Sequence, residues 1–96
     1  MKYEEIKNRI ETLSGSGFDS KWDITDKGRY VKCFSEWHLM NEDGYYIGYY
    51  GFTVIIPKKN PIDFRLYGWK DNKRIFIRYG IWDYLKECIA NVFDND

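Results

Sequence analysis

The chain has 96 residues, with 15 basic and 15 acidic side chains, and its mean hydropathy is −0.63. This length predicts a single domain, residues 1–96. The zero net charge excludes an acidic nucleic-acid mimic and a uniformly basic nucleic-acid binder. Aromatic residues make up 20% of the chain, which is enough for a dense core in so small a domain. Because the net charge is zero, any charged binding surface must come from a local cluster of charged residues.

The sequence predicts a cytoplasmic protein that does not enter a membrane. No apolar run approaches the length of a membrane span, and the first residues lead into an amphipathic segment. Cys33 and Cys88 are far apart in unlike contexts, so we expect two free thiols in a reducing compartment. Frequent Ile, Lys, Asn and Tyr, with one alanine and no glutamine, are typical of a bacterial or phage gene.

An amphipathic helix is predicted first, over residues 3–13, where apolar side chains recur at helical spacing. A short alternating strand follows at 21–25, and Asp26-Lys27-Gly28 reads as a hairpin loop with glycine in the left-handed conformation. Long strands are predicted at 29–40 and 45–56, joined by a four-residue turn, Asn41 to Gly44.

Two further strands, residues 62–69 and 74–79, are predicted around a turn at Asp71-Asn72, and a closing helix covers residues 81–93. The resulting order is α-β-β-β-β-β-α. The predicted fold class is α+β, with an antiparallel meander sheet of about four to five strands, an N-terminal and a C-terminal helix, and two layers.

The turn at Asn41 to Gly44 sorts the side chains of the central hairpin between two faces. A regular turn pairs Leu39 with Tyr46, Trp37 with Gly48 and Cys33 with Phe52 on an apolar face that should lie under the helices. The other face is mixed and pairs Phe34 with Gly51. A bulge at Gly48 or Gly51 would reverse part of this assignment.

The mixed face carries the candidate binding residues, because Trp, Tyr and Arg dominate binding hot spots. Residues 57–79 hold seven basic side chains against two acidic ones, so positive charge is concentrated there. An alternative interpretation is purely structural, since small sheets leave aromatic pairs half exposed for stability. The candidate partner-binding residues are Phe34, Tyr49, Arg65, Tyr67, Trp69, Arg74, Phe76 and Arg78.

No catalytic group, metal site or cofactor site is predicted, and we expect a protein that is not an enzyme. Cys33 and His38 are separated by an odd number of residues on one strand, so they face opposite ways and cannot form a nucleophile and base pair. A metal would need more His and Cys ligands than the chain supplies. The glycines at 44, 48 and 51 lie in a turn and a strand, not in a phosphate-binding loop.

The leading functional prediction is a small non-catalytic protein-binding module. The size and composition suggest a phage or mobile-element protein that inhibits a host enzyme or defence complex. A first alternative is single-stranded nucleic-acid binding, with aromatic rings stacking on bases and basic side chains contacting phosphates. A second alternative is a homo-oligomer in which the same face binds its own copy.

Overall fold

The computed structural model describes residues 1–15, 22–40, 43–44, 46–70, 73–75 and 80–94. Its five strands form one antiparallel sheet in chain order, β1-β2-β3-β4-β5. One helix precedes the strands in the sequence and another follows them, which confirms the predicted α+β meander. The elements are α1 (Tyr3–Glu11), β1 (Asp23–Asp26), β2 (Tyr30–Met40), β3 (Tyr46–Pro57), β4 (Arg65–Lys70), β5 (Lys73–Ile75) and α2 (Gly80–Phe93).

Both helices pack on the same face of the sheet, so the domain has two layers. Apolar side chains of α1 and α2 join alternate residues of the strands in one buried cluster. The prediction that Cys33 and Phe52 face the core is confirmed, since both are buried in that cluster. Its members are Ile6, Ile10, Leu13, Trp22, Val31, Cys33, Phe52, Val54, Ile56, Leu66, Leu85, Ile89 and Phe93.

Side chains on α1 bind the helix to its neighbours by hydrogen bonds. The Tyr3 hydroxyl donates to the Ile24 carbonyl at 3.2 Å, and Nη1 of Arg9 donates to the Val92 carbonyl at 3.0 Å. The second bond also satisfies a carbonyl at the end of α2, where helical carbonyls lack partners within the helix. Neither helix of the described part of the chain has the length and apolarity to cross a membrane.

The first predicted helix and the strand predicted from residue 62 have other bounds in the structure. The first helix ends at Glu11 and continues as a 3-10 turn, Thr12–Gly15. The strand predicted from residue 62 begins at Arg65, because Pro61–Asp63 forms a 3-10 turn with proline in its first positions, where a missing N–H costs nothing. The last strand is described for Lys73–Ile75, and residues 76–79 of the prediction lie outside the described part.

The hairpin between β1 and β2 lies one residue later than predicted. β1 includes Asp26, and the turn closes through a 2.9 Å hydrogen bond from the Lys27 amide to the Tyr30 carbonyl. The prediction of a left-handed glycine is confirmed, since Gly28 has a φ of 90°. Its amide donates to Oδ1 of Asp26 at 2.9 Å, a side-chain contact that favours this turn.

The predicted register of the central hairpin is wrong by two residues over most of its length. Trp37 lies opposite Tyr50, not Gly48, and Cys33 lies opposite Val54, not Phe52. Met40, not Leu39, lies opposite Tyr46, and the register shifts again at the irregularity between Leu39 and Met40. Because side chains alternate with a period of two, a total shift of two residues keeps Val31, Cys33, Phe52 and Val54 on one face, where all four are buried.

Candidate functional site

The outer face is the side of the sheet that is turned away from the helices. Antiparallel pairing arranges its residues in rows that run across the strands. The rows that span three or more strands are Glu36–Gly51–Trp69–Arg74, Asp23–Phe34–Thr53–Tyr67 and Thr25–Lys32–Ile55–Arg65. Trp69 and Arg74 lie directly opposite each other on β4 and β5, as a tight turn at Asp71-Asn72 implies.

A hydrogen bond from the ring nitrogen fixes the position of the Trp69 side chain. Its Nε1 donates to Oγ1 of Thr53 at 2.8 Å. Thr53 lies in the neighbouring row and is only 5% exposed, so the indole leans diagonally across β3. The half-buried ring is thereby held in one orientation with its polar edge satisfied.

Gly51 makes room for the aromatic side chains on either side of it. A Cβ at this position would lie 2.8 Å from Cε2 of Phe34 and 3.6 Å from Cβ of Trp69. The Phe34 ring therefore covers the backbone of Gly51, although Phe34 pairs directly with Thr53 and not with Gly51 as predicted. This packing brings Phe34 and Trp69 together on the outer face.

Arg74 stacks on Tyr67. The guanidinium carbon lies 3.8 Å from the centre of the phenol ring, which is a cation–π geometry. Arg74 is exposed and Tyr67 is half-buried, so the stacked pair forms part of the surface. Together with Trp69, the two residues place the three side-chain types that most often dominate protein interfaces next to one another.

Two clefts of about 330 Å³ each open on the outer face. The Trp69 cleft has Phe34 and Trp69 as aromatic walls, and its full lining is Asp23, Thr25, Lys27, Lys32, Phe34, Thr53 and Trp69. The Tyr67 cleft has Tyr30 and Tyr67 as aromatic walls, and its full lining is Arg29, Tyr30, Ile55, Pro57, Asp63, Arg65 and Tyr67.

An ion pair joins Asp26, which precedes the cleft residue Lys27 in the sequence, to Lys58, which follows the cleft residue Pro57. Nζ of Lys58 lies 2.7 Å from Oδ1 of Asp26. The hydrogen bond from Lys58, together with the one from the Gly28 amide, holds the pKa of the Asp26 carboxyl below its usual value. The carboxylate next to Lys27 in the sequence is therefore already engaged by another cation.

The structure brings together four of the eight candidate residues, Phe34, Tyr67, Trp69 and Arg74. Arg65 lies on the same face and lines the Tyr67 cleft. The backbone of Tyr49 pairs with that of His38 in the sheet. Phe76 and Arg78 lie outside the described residues.

Sequence reasoning missed the contributions of Thr53 and of β1. Asp23 and Thr25 lie opposite Phe34 and Lys32, and with Lys27 they form one side of the Trp69 cleft. The alternation of half-buried Ile24 with exposed Asp23 and Thr25 could have assigned these two residues to the outer face. No sequence signal could have revealed the role of Thr53, because its hydrogen bond with Trp69 depends on the register between β3 and β4.

The described residues offer no assembled catalytic group. Burial raises the pKa of the Cys33 thiol to about 12, so this side chain stays protonated and unreactive in the core. Within the described ranges, no three His, Cys, Asp or Glu side chains are grouped so that they could hold a metal ion.

No protein-family model, curated protein or solved structure that was compared with this chain matches it. The chemistry of the outer face is therefore the basis on which a function is inferred for this chain.

Proposed function

We propose that the chain is a non-catalytic protein-binding module that contacts its partner through the outer face. The observation that carries the proposal is the stack of Arg74 on Tyr67 at 3.8 Å beside an indole that Thr53 holds in place. Side chains ordered before binding lose less conformational entropy when a partner arrives. The partner is a host enzyme or defence complex in the bacterial cytoplasm, an assignment suggested by the size and composition of the chain.

The mixed charge of the face supports a protein partner over a nucleic acid. Asp23, Glu36 and Asp63 lie on or beside the same surface as the cations, and carboxylates repel phosphates. In addition, Arg74 covers one side of the Tyr67 ring, which a base would need for stacking. A protein surface can complement both signs of charge.

Affinity capture from bacterial lysate, with mass spectrometry of the bound proteins, tests the proposal. We expect the wild-type chain to retain a specific protein that the double variant Trp69→Ala, Arg74→Ala does not retain. Tyr84→Ala is the matched control, because Tyr84 is an exposed aromatic residue on α2, in the helical layer. Equal recovery by the wild-type chain and the double variant would refute the proposal.

Single-stranded nucleic-acid binding is the second candidate, and the cations around the clefts favour it. Lys27 and Lys32 line one cleft, and Arg29 and Arg65 line the other. Fluorescence anisotropy with mixed-sequence DNA and RNA at two salt concentrations distinguishes the candidates. Saturable, strongly salt-dependent binding that Trp69→Ala weakens would replace the protein-binding proposal by this one.

A further inference from the structure

The two clefts have the same volume and share one set of aromatic and charged side chains, and they differ in Thr25 and Thr53 against Ile55 and Pro57. Each is bounded by two aromatic residues, two basic residues and one aspartate. In the Trp69 cleft these are Phe34, Trp69, Lys27, Lys32 and Asp23, and in the Tyr67 cleft they are Tyr30, Tyr67, Arg29, Arg65 and Asp63. A ligand that fits one cleft therefore has the chemistry to fit the other, as a chain with repeated units would.

The basic side chains in the clefts have no ion-pair partners within the described ranges. The ion pairs Lys58–Asp26 and Lys7–Glu11 involve no basic residue of a cleft. Asp26 is the acidic residue adjacent to Lys27 in the sequence, but its Oδ1 accepts a hydrogen bond from Nζ of Lys58 at 2.7 Å. Four positive charges thus lie beside the aromatic walls of the two clefts, and this arrangement complements a ligand with carboxylates beside apolar groups.

The positions of the clefts match the geometry of an extended peptide. The Tyr67 cleft is displaced from the Trp69 cleft by one row along the strands and one strand across the sheet. Strand dimensions make that displacement roughly 8 Å, close to the roughly 7 Å between side chains i and i+2 of an extended chain. One extended segment can therefore place a side chain in each cleft.

We infer that the two clefts bind one extended acidic segment of the partner protein. An aromatic or aliphatic side chain of the segment enters each cleft, and flanking Asp or Glu side chains contact the four cations. Asp23 and Asp63 accept hydrogen bonds from backbone N–H groups of the segment. The inference rests on the proposed function and names the chemistry of the partner.

Selection from a phage-displayed library of random twelve-residue peptides tests this inference. We expect selected peptides to share two apolar side chains at i and i+2 with Asp or Glu beside them. A synthetic selected peptide should bind in fluorescence anisotropy, and the same peptide with Asn and Gln in place of its acids should bind at least about tenfold more weakly.

Two cleft variants and one control locate the binding. Lys27→Ala with Lys32→Ala, and Arg29→Ala with Arg65→Ala, should each weaken peptide binding at least about fivefold. Lys2→Ala with Lys7→Ala removes the same charge near α1 and should change nothing. Failure to select acidic peptides, unchanged binding by both cleft variants, or stronger binding of an oligothymidine would overturn the inference. If lysate capture still depends on Trp69 and Arg74 in that case, the protein-binding proposal stands without it.

Discussion

The indole Nε1 of Trp69 donates a 2.8 Å hydrogen bond to Oγ1 of Thr53 and so joins β4 to β3 on the outer face. Thr53 is buried although it lies on the side away from the core, because the indole covers it. Ring orientation and sheet stability are therefore linked at this point.

Thr53→Val should reduce the free energy of unfolding by about 1 kcal/mol, because it keeps the shape of the side chain but removes the acceptor for Trp69. Chemical denaturation monitored by tryptophan fluorescence measures the change. Thr25→Val is the control, since Thr25 is an exposed residue at the sheet edge, and it should change stability by less than about 0.5 kcal/mol. Equal effects of the two variants would show that the hydrogen bond does not stabilise the sheet.

Gly51→Ala should cost about 1 to 2 kcal/mol, because the added methyl group would lie 2.8 Å from Cε2 of Phe34 and the ring would have to move. Gly51 is not one of the glycines with positive φ, so backbone strain does not contribute. Thermal unfolding in a double-mutant cycle with Phe34→Ala separates the two effects. In the Phe34→Ala background, the glycine substitution should cost nothing; an unchanged cost there would contradict the packing described here.

Trp37→Ala should cost about 3 to 5 kcal/mol, and Tyr49→Ala should cost far less. By the alternation of β2, the sequence assigns Trp37 to the face of Cys33 and Ser35, which are buried, while the side chains of Trp37 and Tyr49 lie outside the described part of the structure. Thermal melts of both variants make the comparison. A larger loss for Tyr49→Ala would mean that the faces are exchanged beyond residue 36 of β2.

Much of the fold could be predicted because alternation decides which face a strand residue occupies. Cys33 and Phe52 were assigned to the core from their positions alone, and an error of two residues in their pairing did not change that result. The register itself could not be predicted, because Gly48 and Gly51 were equal candidates for a bulge, and only the structure places the irregularity beside Gly48, the partner of Leu39.

The site was predictable in its residue types but not in its contacts. The Trp69 and Arg74 pair followed from the tight turn between β4 and β5. The contact of Phe34 with Gly51 is diagonal, and the bond of Trp69 to Thr53 connects different rows, so both depend on side-chain directions that a sequence pattern does not contain.

Cys88 should react with a thiol reagent at pH 8 before Cys33 does. The raised pKa of Cys33, about 12, and its complete burial leave almost no thiolate accessible, whereas Cys88 is only half-buried. Titration with an aromatic disulfide, with and without denaturant, measures both thiols. Two thiols reacting equally fast in the native protein would show that the core around Cys33 opens readily.

Site-specific photocrosslinking in bacterial cells tests the central claim most directly. Tyr30 and Tyr84 are both exposed, at 37% and 44%, but Tyr30 lines a cleft of the outer face and Tyr84 lies on α2. With a photoreactive phenylalanine analogue at one position or the other, we expect an adduct with a specific cellular protein from position 30 and none from position 84. Adducts of that protein from position 84 alone, adducts only between copies of this chain, or adducts only with nucleic acid would contradict a protein-binding outer face.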